Sequence, residues 1–357
     1  MHWYRFARPL IQLLSPETAH AAGLKLLQVP IRWASPPDDP FVWKGLTFRN
    51  RVGIAAGFDK NATALAGIER LGVGFVEVGT ILVEPWAGNP DRPRLERLYN
   101  KRAIWNKLGF PNDGLQAITG RLAAYPASKR RGMIVACNIG PHPGHLKACN
   151  SPAEFLKLAR TELCQLVDAL HELADCFVVN LSSPNTAGLR GMLSDPRLVS
   201  DLVKPLRDHL RQHAERTHRP LPLLMKLPPD DPNKVAWNRE SLEPVLAPLL
   251  KEQACDGLVA VNTSTRLTQE LLQRDAGGIS GSPLLPIAIA SIELLRSIVG
   301  PEMLIIGCGG ITEPQHAVQL RQAGAQLVEL YSGMIFAGPG LPSACARALL
   351  RDTSCKS

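Results

Sequence analysis

Lys60 and Lys226 stand where short apolar runs end, and so do Asn138, Asn180 and Asn262, with Asn185 five residues beyond Asn180. Ammonium groups hold anions, and amides supply donors and acceptors together, as a polar heterocycle requires. Two further runs finish in small residues, Gly307-Cys308-Gly309-Gly310 and Tyr331-Ser332-Gly333, which let backbone N–H groups come close to a phosphate. Lys226 is the most pointed of these residues. It lies inside Leu223-Leu224-Met225-Lys226-Leu227, and an inward-facing lysine there needs an anionic partner. Each asparagine alone is more often a turn former than a ligand. No run end gathers carboxylates or histidines for a metal, so no metal centre is expected. The set points to a phosphate-bearing cofactor and a planar, amide-rich substrate.

The elements that must position these residues repeat. Apolar runs occur at Val52–Ala55, Phe75–Val78, Met133–Cys137, Phe177–Asn180, Leu223–Lys226, Leu258–Val261, Leu304–Ile306 and Leu327–Leu330. Helical patterns such as Pro152–Leu173 and Leu284–Val299 lie between them. Continuous apolar runs alternating with helices predict parallel strands covered on their outer side. Eight units without G-x-G-x-x-G after the first strand predict an α/β chain closed as a (β/α)8 TIM barrel, whose strand carboxyl ends carry the chemistry. The long stretch 79–132 must hold inserted loops or a small subdomain.

Residues 1–40 differ from the barrel expected over 41–357. Trp3, Phe6, Leu10, Leu13 and Leu14 recur at near-helical spacing around Arg5 and Arg8. A second helix is announced by Ser15 as N-cap, Pro16 and Glu17, and stops near Pro30. Ser35-Pro36-Pro37-Asp38-Asp39-Pro40 then reads as a linker. This amphipathic pair suits either a cap packed on the barrel or a membrane-surface anchor. The eight cysteines are dispersed, as reduced thiols would be. Neither a signal peptide nor a run of about 18 apolar residues is apparent. The net charge of +8 is scattered and shows no aromatic-interleaved stripe, so no nucleic-acid partner is expected.

Four segments resemble one family. They are Gly53-Ile54-Ala55-Ala56-Gly57-Phe58-Asp59-Lys60-Asn61, Asn180-Leu181-Ser182-Ser183-Pro184-Asn185-Thr186-Ala187-Gly188-Leu189-Arg190, Gly277-Gly278-Ile279-Ser280-Gly281 and Ile305-Ile306-Gly307-Cys308-Gly309-Gly310-Ile311. In this order they are similar to the signatures of the dihydroorotate dehydrogenases, and the resemblance runs from about Leu14 to Gly340. Ser183 stands where the soluble class uses cysteine. Leu14-Ser15-Pro16-Glu17-Thr18-Ala19-His20 is similar to the helical extension of the quinone-dependent class, which forms the quinone tunnel.

The resemblance implies an FMN enzyme that oxidises (S)-dihydroorotate to orotate in pyrimidine (UMP) biosynthesis and reduces a membrane quinone. It would be a peripheral protein on the cytoplasmic face of the cell membrane. Ser183 would be the catalytic base. FMN would be held by Ala56, Gly57, Phe58, Asp59, Lys60, Thr80, Asn138, Asn180, Lys226, Val261, Gly281, Gly310, Tyr331 and Ser332. Substrate would meet Lys60, Asn106, Lys107, Leu108, Gly109, Phe110, Asn180, Asn185, Asn262 and Thr263. His20, Arg97 and Tyr331 would line the quinone path.

The chain departs from the family at Lys107 (usually arginine), Pro111 (usually asparagine), Val261 (often threonine), Glu96 and Pro141-His142-Pro143. Any flavin contact from Val261 is expected through its backbone, and Glu96 to neutralise Arg97 or narrow the tunnel. Competing readings are a flavin paralogue acting on another amide heterocycle, such as a tRNA dihydrouridine synthase-like enzyme, and a non-catalytic flavin-binding membrane protein. The dihydrouridine synthases typically use a cysteine acid.

Overall fold

A computed structural model describes residues 3–31, 36, 38–183, 191, 193, 195–231, 233 and 235–352. Two helices come first, α1 (Trp3–Gln12) and α2 (Pro16–Gln28). The Ser15 hydroxyl accepts the Thr18 N–H at 3.2 Å, Pro16 opens α2, and Glu17 and Lys25 lie at the ends that favour their charges. Parts of the linker expected over Ser35 to Pro40 lie outside the described residues.

Among the described residues thirteen strands follow: β1 (Phe41–Trp43), β2 (Leu46–Phe48), β3 (Val52–Ile54), β4 (Phe75–Ile81), β5 (Leu95–Leu98), β6 (Ala103–Asn106), β7 (Ile134–Ile139), β8 (Cys176–Asn180), β9 (Leu223–Leu227), β10 (Gly257–Ala260), β11 (Gly278–Gly281), β12 (Leu304–Cys308) and β13 (Leu327–Leu330). Eight of them close a barrel in the order β3-β4-β7-β8-β9-β10-β12-β13, every pair parallel, with Val328 beside Val52 at the closure. These are the eight apolar runs of the sequence, most with their ends moved by a residue or more. The stretch 79–132 contributes β5 and β6, which pair antiparallel with each other and, through β6, with β11 from the loop between β10 and β12.

Alternation along each strand separates two cores. Outward residues such as Val76, Val135, Phe177 and Ile305 pack under the surrounding helices. Inward residues Phe75, Ala136, Val178, Leu224, Val259, Ile306 and Leu327 fill the barrel, with Leu46 and Phe48 of the β1-β2 hairpin packed against them. The next inward positions along these strands are Glu77, Asn138, Asn180, Lys226, Val261, Cys308 and Glu329. The barrel is therefore apolar at the amino ends of its strands and polar toward their carboxyl ends. The most apolar helical stretch, Ser282–Val299 with mean hydropathy 1.5, is long enough to cross a membrane. It belongs to the barrel's outer layer, where Ala288, Ile292 and Leu295 are buried.

Candidate active site

A cavity of about 340 Å³ begins over this polar layer and runs outward between α1 and α2. That volume falls in the ordinary range for small-molecule sites, about 300–1,000 Å³. Its inner end is lined by Lys226, Glu329, Thr80, Asn180 and Cys308, its middle by Lys60, Ser183, Asn262 and Thr263, and its outer end by Tyr4, Ile11, His20 and Leu24.

The floor is a wired set of side chains from five strands. Lys226 donates to Glu77 and to Glu329, each at 2.9 Å, and all three are buried. Burial and the Glu77 charge push the Glu329 carboxyl up to about 8, whereas Glu77 is held below its usual range by Lys226 and by hydrogen bonds that outweigh its own burial. Near neutral pH the proton therefore rests on Glu329, and Glu77 carries the charge that balances Lys226. Glu77 also accepts from the Asn138 amide. Asn138 Oδ1 in turn accepts from Thr80 Oγ1 at 2.6 Å and from Asn180 Nδ2 at 3.3 Å. Above this, Ser182 Oγ donates to Asn180 Oδ1 and accepts from Asn262 Nδ2, both at 2.9 Å. One buried hydroxyl thus fixes two amides that arise from β8 and from the end of β10.

Lys60 reaches Gly57 O at 2.7 Å, and desolvation at the cavity wall lowers its ammonium to about 8. The phenol of Tyr331 and the ring of Phe58 meet edge-on at 5.4 Å, and His20 of α2 lies 5.8 Å from each. Burial, then the Lys60 charge, pulls His20 down to about 3, so it is neutral near pH 7. The extension is tied down by polar contacts. Arg94 grips Glu17 with two hydrogen bonds, at 2.6 and 3.2 Å. Arg97 reaches the carbonyls of Gln12 and Leu14 and the Tyr99 hydroxyl.

Comparison with known proteins places this architecture. The family model for dihydroorotate dehydrogenase matches residues 42–351. The chain belongs to the dihydroorotate dehydrogenase family. It is 38% identical to a protein of Stenotrophomonas maltophilia strain R551-3 named dihydroorotate dehydrogenase (quinone), over 98% of this chain and 96% of that one. A protein of the same name from Aromatoleum aromaticum is 37% identical over 97% and 94% of the two chains. Among solved structures, the Eimeria tenella dihydroorotate dehydrogenase in complex with ferulenol superposes with a TM-score of 0.82 at 30% identity. That match covers 94% of this chain and 91% of the other.

Most residues singled out from the sequence meet at this one cavity. Ala56, Gly57, Phe58, Lys60, Thr80, Asn180, Lys226, Val261, Gly281, Gly310, Tyr331 and Ser332 line it, as do Asn106, Leu108, Gly109, Phe110, Asn262, Thr263, Ser183, His20 and Arg97. Asn138 lies just beneath, fully buried. Two residues are placed elsewhere. Asp59 is turned into the barrel wall, where its carboxylate accepts the N–H groups of Thr63 and Ala64 ahead of the helix Leu65–Arg70. Lys107 does not line the cavity and points toward Asp91, 4.0 Å away. Asn185 lies outside the described residues.

The departures from the family pattern also find their places. Glu96 pairs with Arg274 at 2.7 Å rather than neutralising Arg97, because neighbouring positions on β5 face opposite sides. The Val261 backbone, through which any flavin contact is expected, already donates its N–H to Cys308 O at 2.7 Å. His142 packs edge-on against Trp86, and its N–H is held by Glu162 at 2.6 Å, so the Pro141-His142-Pro143 turn is a braced corner outside the cavity wall. Sequence reasoning missed Glu77 and Glu329. Their signal was present, because each is a lone acid inside an apolar strand run, the same anomaly that marked Lys226.

Proposed function

We propose that this chain oxidises (S)-dihydroorotate to orotate, passing the hydride to FMN and the electrons on to a membrane quinone, as a step of pyrimidine biosynthesis. The observation that carries the reading is the continuity of the cavity, in which Ser183, Lys60 and the fixed amides open directly into a passage walled by α1 and α2. The donor set suits FMN. Gly309, Gly310 and the hydroxyl pair Ser280–Ser332, 2.7 Å apart, offer neutral donors for a phosphate beyond β12 and β13. Thr80, Asn180 and Lys226 suit the polar edge of a flavin ring, with Asn138 supporting them from below. Bound there, FMN supplies a two-electron acceptor beside the substrate and a route toward quinone.

The remaining chemistry belongs to the protein. Ser183 removes the C5 proton of dihydroorotate. A serine hydroxyl is a weak base, so it passes its own proton to water as it receives the substrate's. Asn180 and Asn262, held by Ser182, fix the substrate ring and stabilise the charge that develops on it. Lys60 supplies the cation, and pairing with an anionic substrate offsets the lowering that desolvation imposes on its ammonium. His20, Arg97 and Tyr331 line the quinone end.

Residues 1–40 hold the protein on the cytoplasmic face of the membrane. In support, Phe6, Leu10 and Leu13 are 79%, 70% and 83% exposed, at spacings that share one helical face. The direct test is anaerobic titration of the purified protein with dihydroorotate, followed by flavin absorbance. The yellow colour is expected to bleach stoichiometrically. A flavin that dihydroorotate leaves oxidised, or one whose turnover requires tRNA, overturns the reading.

A further inference from the structure

A second cluster of chemistry lies far from the cavity, on the outer helices. His209 and His213 are one turn apart on the helix Pro196–Thr217, so they share a face. Both direct Nε2 at a single oxygen, Asp168 Oδ1 on the neighbouring helix Pro152–Leu170, at 2.7 and 2.8 Å. The ligating atoms of the three residues all lie within 4.8 Å of one another. His171 stacks on His213 with ring centroids 4.1 Å apart, which limits how far the His213 ring can turn. Asp168 is half-exposed, so one side of the cluster is open to water.

We propose that Asp168, His209 and His213 bind one divalent transition ion of the zinc, nickel or cobalt class, which pins together the two helices that flank β8. Two neutral imidazoles and one carboxylate form a nitrogen-rich donor set, which suits borderline ions and disfavours magnesium or calcium. Metal–ligand bonds of about 2.0–2.2 Å at tetrahedral angles separate ligand atoms by about 3.4 Å. The three atoms need only part slightly, within the reach of the exposed Asp168 side chain, and water completes the shell. The helix Pro152–Leu170 ends just before β8 begins at Cys176, so the site lies at the amino end of that strand, opposite Ser183. Groups at that end of a (β/α)8 barrel act on stability rather than catalysis.

The experiment titrates chelator-treated holoenzyme with zinc, cobalt or magnesium. It follows thermal unfolding, metal stoichiometry and the visible bands of cobalt. Zinc and cobalt are expected to bind once per chain and, at a hundredfold excess over Kd, to raise Tm by about 3 °C, with no response to magnesium. His209→Gln is expected to weaken binding at least about tenfold while leaving flavin reduction by dihydroorotate unchanged, since loss even of a supporting group costs 10–100-fold. Asp168→Asn should behave alike. Absence of any zinc-dependent shift in the parent protein overturns the proposal, as does zinc affinity in both variants equal to that of the parent. A Tm that follows pH but not metal shows an ion-pair cluster only, and also overturns it.

Discussion

The two ends of the one cavity are built on opposite terms. At the inner end, Glu77, Lys226, Glu329, Asn138, Asn180 and Thr80 are buried, and each meets a partner on another strand. At the outer end, α1 and α2 are held on the barrel by polar ties and by Leu24 and Leu27 of α2, while Phe6, Leu10 and Leu13 face outward. The inner end is fixed before any ligand arrives, as placement of a reacting ring demands. The outer end leaves apolar surface unsatisfied, as a face destined for lipid would.

The largest effect should come from cutting the inner network at its centre. Lys226→Met leaves the buried Glu77 carboxylate, beside the protonated Glu329, with no cation, and breaking a buried ionic set in this way costs about 3–5 kcal/mol. Urea unfolding of the flavin-free protein should show a loss of that size. If Glu77→Gln and Glu329→Gln are added, most of the stability should return, because the uncompensated charge has gone. A Lys226→Met protein as stable as its parent would remove the argument that this end is electrostatically wired.

Next comes Ser183, buried in the middle of the cavity, which does its work on substrate. Ser183→Ala should retain the flavin while slowing its reduction by dihydroorotate at least about a hundredfold, the scale of a lost general base. Stopped-flow absorbance measures this directly, and an unchanged rate would take Ser183 out of the mechanism.

The contrast also explains what the sequence made legible. The barrel could be read because strand-length apolar runs and helical patterns are local signals, and the strand ends then nominated Lys60, Lys226 and the asparagines. Glu77 and Glu329 were not nominated as partners of Lys226, because Glu77 lies 149 residues and Glu329 103 residues away along the chain. Periodicity cannot show which inward positions share a level of a closed barrel. The β1-β2 hairpin was too short to register, and β11 pairs with β6 across more than 170 residues. Asp59 misled for a local reason, since a carboxylate just before a helix satisfies backbone N–H groups as readily as it meets a ligand.

The outer end predicts a smaller and separable effect. Leu10→Ser with Leu13→Ser removes two exposed apolar side chains, each worth about 1.5–3 kcal/mol when fully buried in an apolar phase. Co-sedimentation with phospholipid vesicles should weaken at least about tenfold. Flavin reduction by dihydroorotate in solution should not change. Equal vesicle binding by the variant would leave the outer end as a mere cap on the barrel.

The smallest effect at neutral pH is expected for Glu329→Gln, because an amide has nearly the shape of the protonated acid that already sits there. The difference should emerge with pH, and its sign follows from the raised carboxyl. In the unfolded chain Glu329 ionises near the ordinary glutamate value, whereas in the folded protein it holds its proton up to about 8. Between those values the folded state binds more protons than the unfolded state, so stability falls as pH rises. The contribution of Glu329 is complete below the unfolded value and gone above about 8. Glutamine cannot titrate, so the variant should lack this decline, and the parent should lose stability relative to it from pH 5 to pH 9. Parallel unfolding curves across that range would mean that Glu329 is ionised at neutral pH. The inner layer of the cavity would then carry net negative charge.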